Sequence, residues 1–334
     1  MKTMKAVVLR ETNQENHFED GLLAVPELQN PKDVLIEVKA VSVNPIDTKT
    51  AKQKIDNDYR ILGWDGAGIV KETGAEVTSF KIGDEVFYAG DFSRAGSNSQ
   101  YQLVDERLIA KKPKNLSFEE SGAIPLTGLT AWESLYDRLG ISEADKGKQI
   151  LIINGAGGVG SIAIQLAKKA GLQVITTASR EETMTWVQNM GADFVINHRN
   201  ALSDELEKIG IREVPYILCL YNTSMYWQEI AKIIQPQGKI CSIVDGGSPV
   251  DLDLLKNKSV TFSWEFMFTR SLYQTADMSR QGEILKQLAE LYDSHELEST
   301  VTESIQPINA ENLEKAHQLV GRGKMVGKLV LSGW

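Results

Sequence analysis

Three glycines carry the clearest chemical signal in the chain: Gly155, Gly157 and Gly160, spaced G-x-G-x-x-G within "ILIINGAGGVGSIAIQLAKKAG". This spacing suits a pyrophosphate. The first glycine permits a tight turn, the second lets the backbone approach the anion, and the third lets a helix pack closely on a strand. The pattern alone is weak, but its setting supports it. "QILIIN" before it is a continuous apolar run of strand character, and Val159, Ile162, Ala163, Leu166, Ala167 and Ala170 after it fall on one helical face. The helix opens at the loop, so Ala156, Gly158 and Val159 join the three glycines as expected cofactor-binding positions. Its N-terminus offers unpaired N–H groups and a partial positive charge. No G-K-[ST] ending follows, which disfavours a P-loop.

The next apolar run, "LQVITTA", ends in Ser179 and Arg180, where an Asp or Glu would hydrogen-bond a ribose 2'-hydroxyl. A hydroxyl and a guanidinium suit a 2'-phosphate instead, which Arg grips through two parallel charge-assisted bonds. The expected dinucleotide is therefore NADPH rather than NADH. The alternative reading has Ser179 capping the next helix and Arg180 solvated beside Glu181 and Glu182.

The elements around these residues predict an α/β chain of two domains, since 334 residues exceed the usual span of one core. Up to about residue 110, short strand-like segments alternate with Gly, Pro, Asn and Asp. "LSFEESGAIPLTGLTAWESLYDRLGI" then turns helical, with Ser117 as its N-cap. From 149 to about 264, buried-type strands alternate with helical segments, as in a doubly wound parallel sheet. Hydrophobic residues at 42% and charged residues at 24% are ordinary for a globular protein. The formal charge of −9 opposes nucleic-acid binding. No apolar run approaches a membrane span, and "MKTMKAVVLRE" lacks a signal h-region. Cys219 and Cys241, the only cysteines, lie in apolar runs and read as buried thiols of a reducing, cytoplasmic compartment. The four histidines, His17, His198, His295 and His317, have no ligand spacing and are expected on the surface.

Collinear segments over essentially the whole chain, "VSVNPIDTK", "ILGWDGAGIV", "KIGDEVF", "AIPLTGLTAWESL", "INGAGGVGSIAIQLAK", "GADFVIN" and "GKLVL", resemble the medium-chain dehydrogenase/reductase superfamily and its zinc-independent quinone oxidoreductase branch. The resemblance implies a GroES-like catalytic domain (1–122 and 267–334) enclosing an inserted Rossmann domain (123–266), and a homodimer. It places Asn44, Ile46 and Asp47 at the nicotinamide and substrate pocket, and Thr130 near the nicotinamide ribose. Leu220 and Tyr221 fall on the adenine or ribose side, followed by Val244 and Asp245. Phe266 and Phe268 fall at the carboxamide edge, and Arg322 and Lys328 bring positive charge to the cofactor. Tyr59 is either a hydrogen-bond donor to the acceptor or an ordinary surface tyrosine.

In zinc-using relatives the catalytic metal is held at the positions matching Asn44 and Trp64, with a third ligand near "IPLTG". An amide and an indole do not replace thiolate or imidazole on zinc, so no metal is expected. Asp65 would then hold Asn44 or a loop amide. Trp64, Trp132 and Phe266 make either a flat wall for a ring-shaped acceptor or ordinary core. Without a Lewis acid, alcohol oxidation loses its main charge stabilisation, whereas a quinone or an α,β-unsaturated carbonyl spreads incoming charge over its own oxygen. Hydride transfer from NADPH to such an acceptor is the resulting expectation. Two other readings remain: a dinucleotide-binding redox sensor of low turnover, and a zinc alcohol dehydrogenase.

Overall fold

The structure, a computed structural model, describes residues 2–55 and 57–334. Contacts divide the chain into two compact units. One runs to Leu129 and resumes at Phe268–Trp334; the other is Thr130–Met267. The sequence reading set the first boundary at 122/123. The difference arises because helix Pro125–Trp132 crosses the division, and its first half, with Ile124, Leu126 and Leu129 buried, belongs with the first unit.

The second unit is built on six parallel strands in the spatial order Phe194–Ile196, Gln173–Thr177, Gln149–Ile153, Val214–Cys219, Ile234–Ser242 and Thr261–Trp264. This is the doubly wound order that reverses beside the first strand, where ligands of open α/β sheets bind beyond the strand C-termini. Ile150, Leu151, Ile152 and Ile153 are fully buried, so both faces of that strand need covering, and the apolar run in the sequence follows from it. Thr261–Trp264 is an edge strand with one neighbour, and Trp264 at its end is 49% exposed.

The first unit has a seven-stranded mixed sheet and a separate hairpin, Thr3–Thr12 with Glu15–Ala24, turning at Asn13 and Gln14, both at positive φ. One three-strand register matters for the site. Asp33–Ser42 pairs antiparallel with Asp65–Thr73 on one side and with Lys328–Ser332 on the other, so Ser42 stands between Asp65 and Val330. Ser42, Asn44, Asp65 and Lys328 thus converge from three distant parts of the sequence. No helix among the described residues is long and apolar enough to cross a membrane.

Candidate active site

In the second unit, the turn after Gln149–Ile153 runs from Asn154 to Gly157, and helix Gly158–Lys169 starts there, as the periodicity predicts. A Cβ on Gly155 would stand 1.9 Å from Thr176 Oγ1, and one on Gly160 would stand 2.5 Å from Gly155 O. Neither position tolerates a side chain. Gly157 differs: a Cβ there meets nothing closer than Asn154 Nδ2 at 3.5 Å. A Cβ on Gly157 is therefore accommodated at ordinary contact distance, and as N-cap this glycine brings no side-chain oxygen to the helix N–H groups. Asn154 N donates to Thr177 Oγ1 at 2.8 Å, which ties the turn to the neighbouring strand. A glycine turn leading into a twelve-residue helix whose first N–H groups have no side-chain cap fits a dinucleotide pyrophosphate. Gly157→Ala is accordingly expected to leave the melting temperature almost unchanged while weakening dinucleotide affinity roughly tenfold or more, as read by fluorescence titration. Gly160→Ala should lower both.

Beyond the second strand, the structure removes one alternative for Ser179. The N-cap of helix Glu181–Asn189 is Arg180, whose backbone N–H donates to Thr183 Oγ1 at 3.1 Å, and the Thr183 hydroxyl returns a bond to Arg180 O. Ser179 Oγ instead lies 3.2 Å from His198 Nε2, on the loop after the third strand. The Arg180 guanidinium is partly exposed, 3.5 Å from Glu182. Leu220 is buried, while Tyr221 and Asp245 are exposed and Val244 half-buried. All four follow strand C-termini in this sheet. Thr130 is buried within its helix, and Phe266 is exposed.

The first unit holds a buried polar cluster. The Asp65 carboxylate, fully buried, accepts from Ser42 Oγ (2.5 Å), Asn44 Nδ2 (2.7 Å) and Lys328 Nζ (3.3 Å) on Oδ2, and from Leu126 N (2.7 Å) on Oδ1. Lys328 Nζ also donates to Asn44 Oδ1 at 2.5 Å. Asp65 therefore holds both Asn44 and a backbone amide. Asp47 Oδ2 accepts from Asn44 N at 2.7 Å across the first turn of helix Pro45–Thr50, while its buried Oδ1 has no hydrogen-bond partner among the described residues. Burial, aided by the negative charge of Asp65, pushes the Asp47 carboxyl up to about 7, although the Asn44 N–H and Lys328 act the other way. Burial lowers the Lys328 ammonium, and Asp65 and Asp47 oppose that. With Asp47 protonated, one carboxylate and one ammonium leave the cluster neutral.

Several expectations change here. Lys328 was expected to bring charge to a cofactor; its ammonium is instead enclosed with Asn44 and Asp65. Asn44 and Asp47, expected at the nicotinamide and substrate pocket, are about 1% exposed, as is Trp64. Trp64 is core: its ring stacks on Phe92 at 4.7 Å and meets Phe268 edge-on at 5.8 Å, so the Phe268 ring is core too. Trp132 packs on Tyr136 in the second unit. Ile46 is half-buried, Arg322 is exposed, and Tyr59, 37% exposed, lies under the Arg10 guanidinium. His317 is buried, with its ring edge-on to Phe18 at 4.7 Å, contrary to the surface expectation. It occupies the same helical face as Leu313 and Ala316, so its i, i+4 relation to Leu313 was a usable signal. His198, expected on the surface, is half-buried, and only the parallel pairing of its strand brings it to Ser179.

A GroES-like unit and a doubly wound parallel sheet in one chain are the architecture shared by the proteins it resembles. Residues 30–114 match the family described as alcohol dehydrogenase GroES-like domain, and residues 190–331 the family described as zinc-binding dehydrogenase. The chain is 44% identical, over 98% of its length and 99% of the relative's, to a zinc-type alcohol dehydrogenase-like protein of Staphylococcus epidermidis. It is 29% identical, over 92% of its length and 74% of the relative's, to a 2-methylene-furan-3-one reductase of Solanum lycopersicum. Among solved structures, a Rhizobium etli protein named for the zinc-dependent alcohol dehydrogenases superposes with a TM-score of 0.94, at 42% identity, covering 100% of this chain and 99% of that one. The quinone oxidoreductase of Coxiella burnetii gives a TM-score of 0.80 at 27% identity, covering all of both chains. The protein belongs to the medium-chain dehydrogenase/reductase superfamily and is an oxidoreductase of that family.

Zinc, which these names invoke, does not fit the donors present. Asn44 Oδ1 is taken by an ammonium, Trp64 offers an indole, and both Asp65 oxygens are hydrogen-bonded. Among the described residues no group of three or more His, Cys, Asp or Glu side chains could hold a metal ion.

Proposed function

We propose that the protein is a zinc-independent, NADPH-dependent reductase of quinones or α,β-unsaturated carbonyl compounds. The observation that carries this reading is the Asp65–Asn44–Lys328 cluster, where an enclosed ammonium already supplies the positive charge that a metal would bring. When bound, NADPH supplies a hydride from nicotinamide C4, and a conjugated acceptor delocalises the incoming charge without a Lewis acid. The Gly155–Gly160 loop holds the pyrophosphate, and Ser179 and Arg180 meet the 2'-phosphate. Asn44 is fixed at both ends of its amide, so it anchors the Pro45–Thr50 helix and the Ile46 side chain at its start. Asp47 holds a proton at a buried carboxyl near neutral pH. The quinone oxidoreductase and the furanone reductase among the similar proteins support an acceptor of this chemical class.

The proposal extends to a homodimer joined at the one-sided edge strand Thr261–Trp264, an arrangement that sedimentation of the intact protein would test. It also includes a cytoplasmic location, in keeping with the free buried thiols of Cys219 and Cys241. Following NADPH absorbance in the presence of 1,2-naphthoquinone and of a short enone tests the function. Steady oxidation by either acceptor is expected. Tight NADPH binding without oxidation by any acceptor would replace this reading with a dinucleotide-binding sensor.

A further inference from the structure

The contact between Ser179 and His198 has consequences that neither residue carries alone. Ser179 is two residues past strand Gln173–Thr177, and His198 two residues past strand Phe194–Ile196. The strands run parallel with Thr177 beside Ile196, and Ala178 N donates to Ile196 O at 3.0 Å, so the two loops leave the sheet side by side. Ser179 Oγ and His198 Nε2 are 3.2 Å apart. Each loop adds a guanidinium next in sequence, Arg180 and Arg199.

Of the carboxylates on these loops and the helices that follow them, Glu205 has other partners. Glu205 accepts from Asn197 N and Asn200 Nδ2, both at 2.9 Å, and pairs with Lys208. Glu182 lies 3.5 Å from Arg180, and Glu181 is exposed in the first turn of the following helix. Ser179, Arg180, His198 and Arg199 themselves have the composition of an anion site, and the imidazole is the one member of these four that titrates in the physiological range.

We infer that His198 is a specificity-determining residue that couples NADPH binding to the uptake of one proton from solvent, a coupling absent for NADH. This rests on the NADPH reading above. In the neutral tautomer whose Nε2 accepts, the Ser179 hydroxyl donates to His198 and presents only lone pairs to a phosphate. Protonation reverses that bond: the imidazolium donates to Ser179 Oγ, and the serine hydroxyl is released to donate to a phosphate oxygen. The imidazolium adds its own charge. Burial, and next the positive charge of Arg199, hold the free imidazole below its ordinary range, so it is mostly neutral at pH 7 before the ligand arrives. A 2'-phosphate dianion offsets Arg199 and draws the proton on, so affinity and protonation are linked.

The test measures dissociation constants of NADPH and NADH from about pH 8.5 to about pH 6.5, a window in which the phosphate stays mostly dianionic. The unmutated protein, His198→Gln and Arg180→Ala are compared. In the unmutated protein the preference for NADPH over NADH should grow about fivefold as the pH falls through this window. It should be independent of pH in His198→Gln, and reduced at every pH in Arg180→Ala. Calorimetry in buffers of different ionisation enthalpy should register proton uptake with NADPH and none with NADH, a signature that a merely structural histidine would not give. A preference for NADPH that does not vary with pH, or a pH dependence that survives in His198→Gln, overturns this inference and leaves the NADPH reading standing. Equal dissociation constants for both dinucleotides at every pH overturn the NADPH reading and this inference with it.

Discussion

Lys328→Met should destabilise the protein by roughly 3–5 kcal/mol, because it leaves the Asp65 carboxylate buried without its cation. In a unit of this size that corresponds to a melting temperature lower by roughly 10 °C. The loss comes mostly from the stranded charge rather than from the ion pair itself, and a second variant separates the two. In Lys328→Met/Asp65→Asn the stranded Asp65 charge is gone, and the amide can still meet Ser42, Asn44 and Leu126 in part. Most of the lost stability should return. Thermal melts of the single and double variants check this: a double variant as unstable as the single one would show that Lys328 acts by packing alone.

Two buried groups should give the protein opposing pH limbs. His317 is held down to about 4 by burial, below its ordinary value of 6.5. The unfolded chain therefore takes up the proton first as pH falls, so this contribution to stability is present above about 6.5 and lost on the way to 4. Its size is roughly 3 kcal/mol. Asp47 runs the other way. Its folded value, raised to about 7 from an ordinary 3.8, means that the unfolded chain releases the proton first as pH rises, and stability falls between those values by roughly 4 kcal/mol. Between about pH 4 and 6.5 the two nearly cancel in the unmutated protein. His317→Gln should therefore be less stable at pH 6.5 than at pH 4.5, and Asp47→Asn the reverse, as read from urea midpoints. The same slope in both variants would show that neither residue is held as described.

The doubly wound unit was legible in the sequence because its signals are local. Apolar runs such as "QILIIN" need only strand periodicity, and the glycine loop is a contiguous segment whose turn, cradle and helix start all lie within a few residues. The contact of Asp65 with Asn44 could also be anticipated, since two positions suited to metal ligands had lost their donors. The role of Lys328 could not. It depends on a register that sets Ser42 between Asp65 and Val330, and strand pairing between the two ends of a chain leaves no periodic trace. The Ser179–His198 contact was hidden for the same reason. The division at 129/130 was missed because a single helix runs through it. Trp64 remained ambiguous because an aromatic residue beside a glycine turn serves equally as wall or as core, and only the stacked Phe92 decides for core.

The most direct measurement is the rate of NADPH oxidation by 1,2-naphthoquinone after exhaustive treatment of the protein with a chelator, with zinc content determined on the same sample. Hydride transfer assisted only by the chain's own groups predicts an undiminished rate with zinc far below one ion per chain, and no gain when zinc is added back. Stoichiometric zinc in the untreated protein, with activity lost to the chelator and restored by the metal, would contradict it.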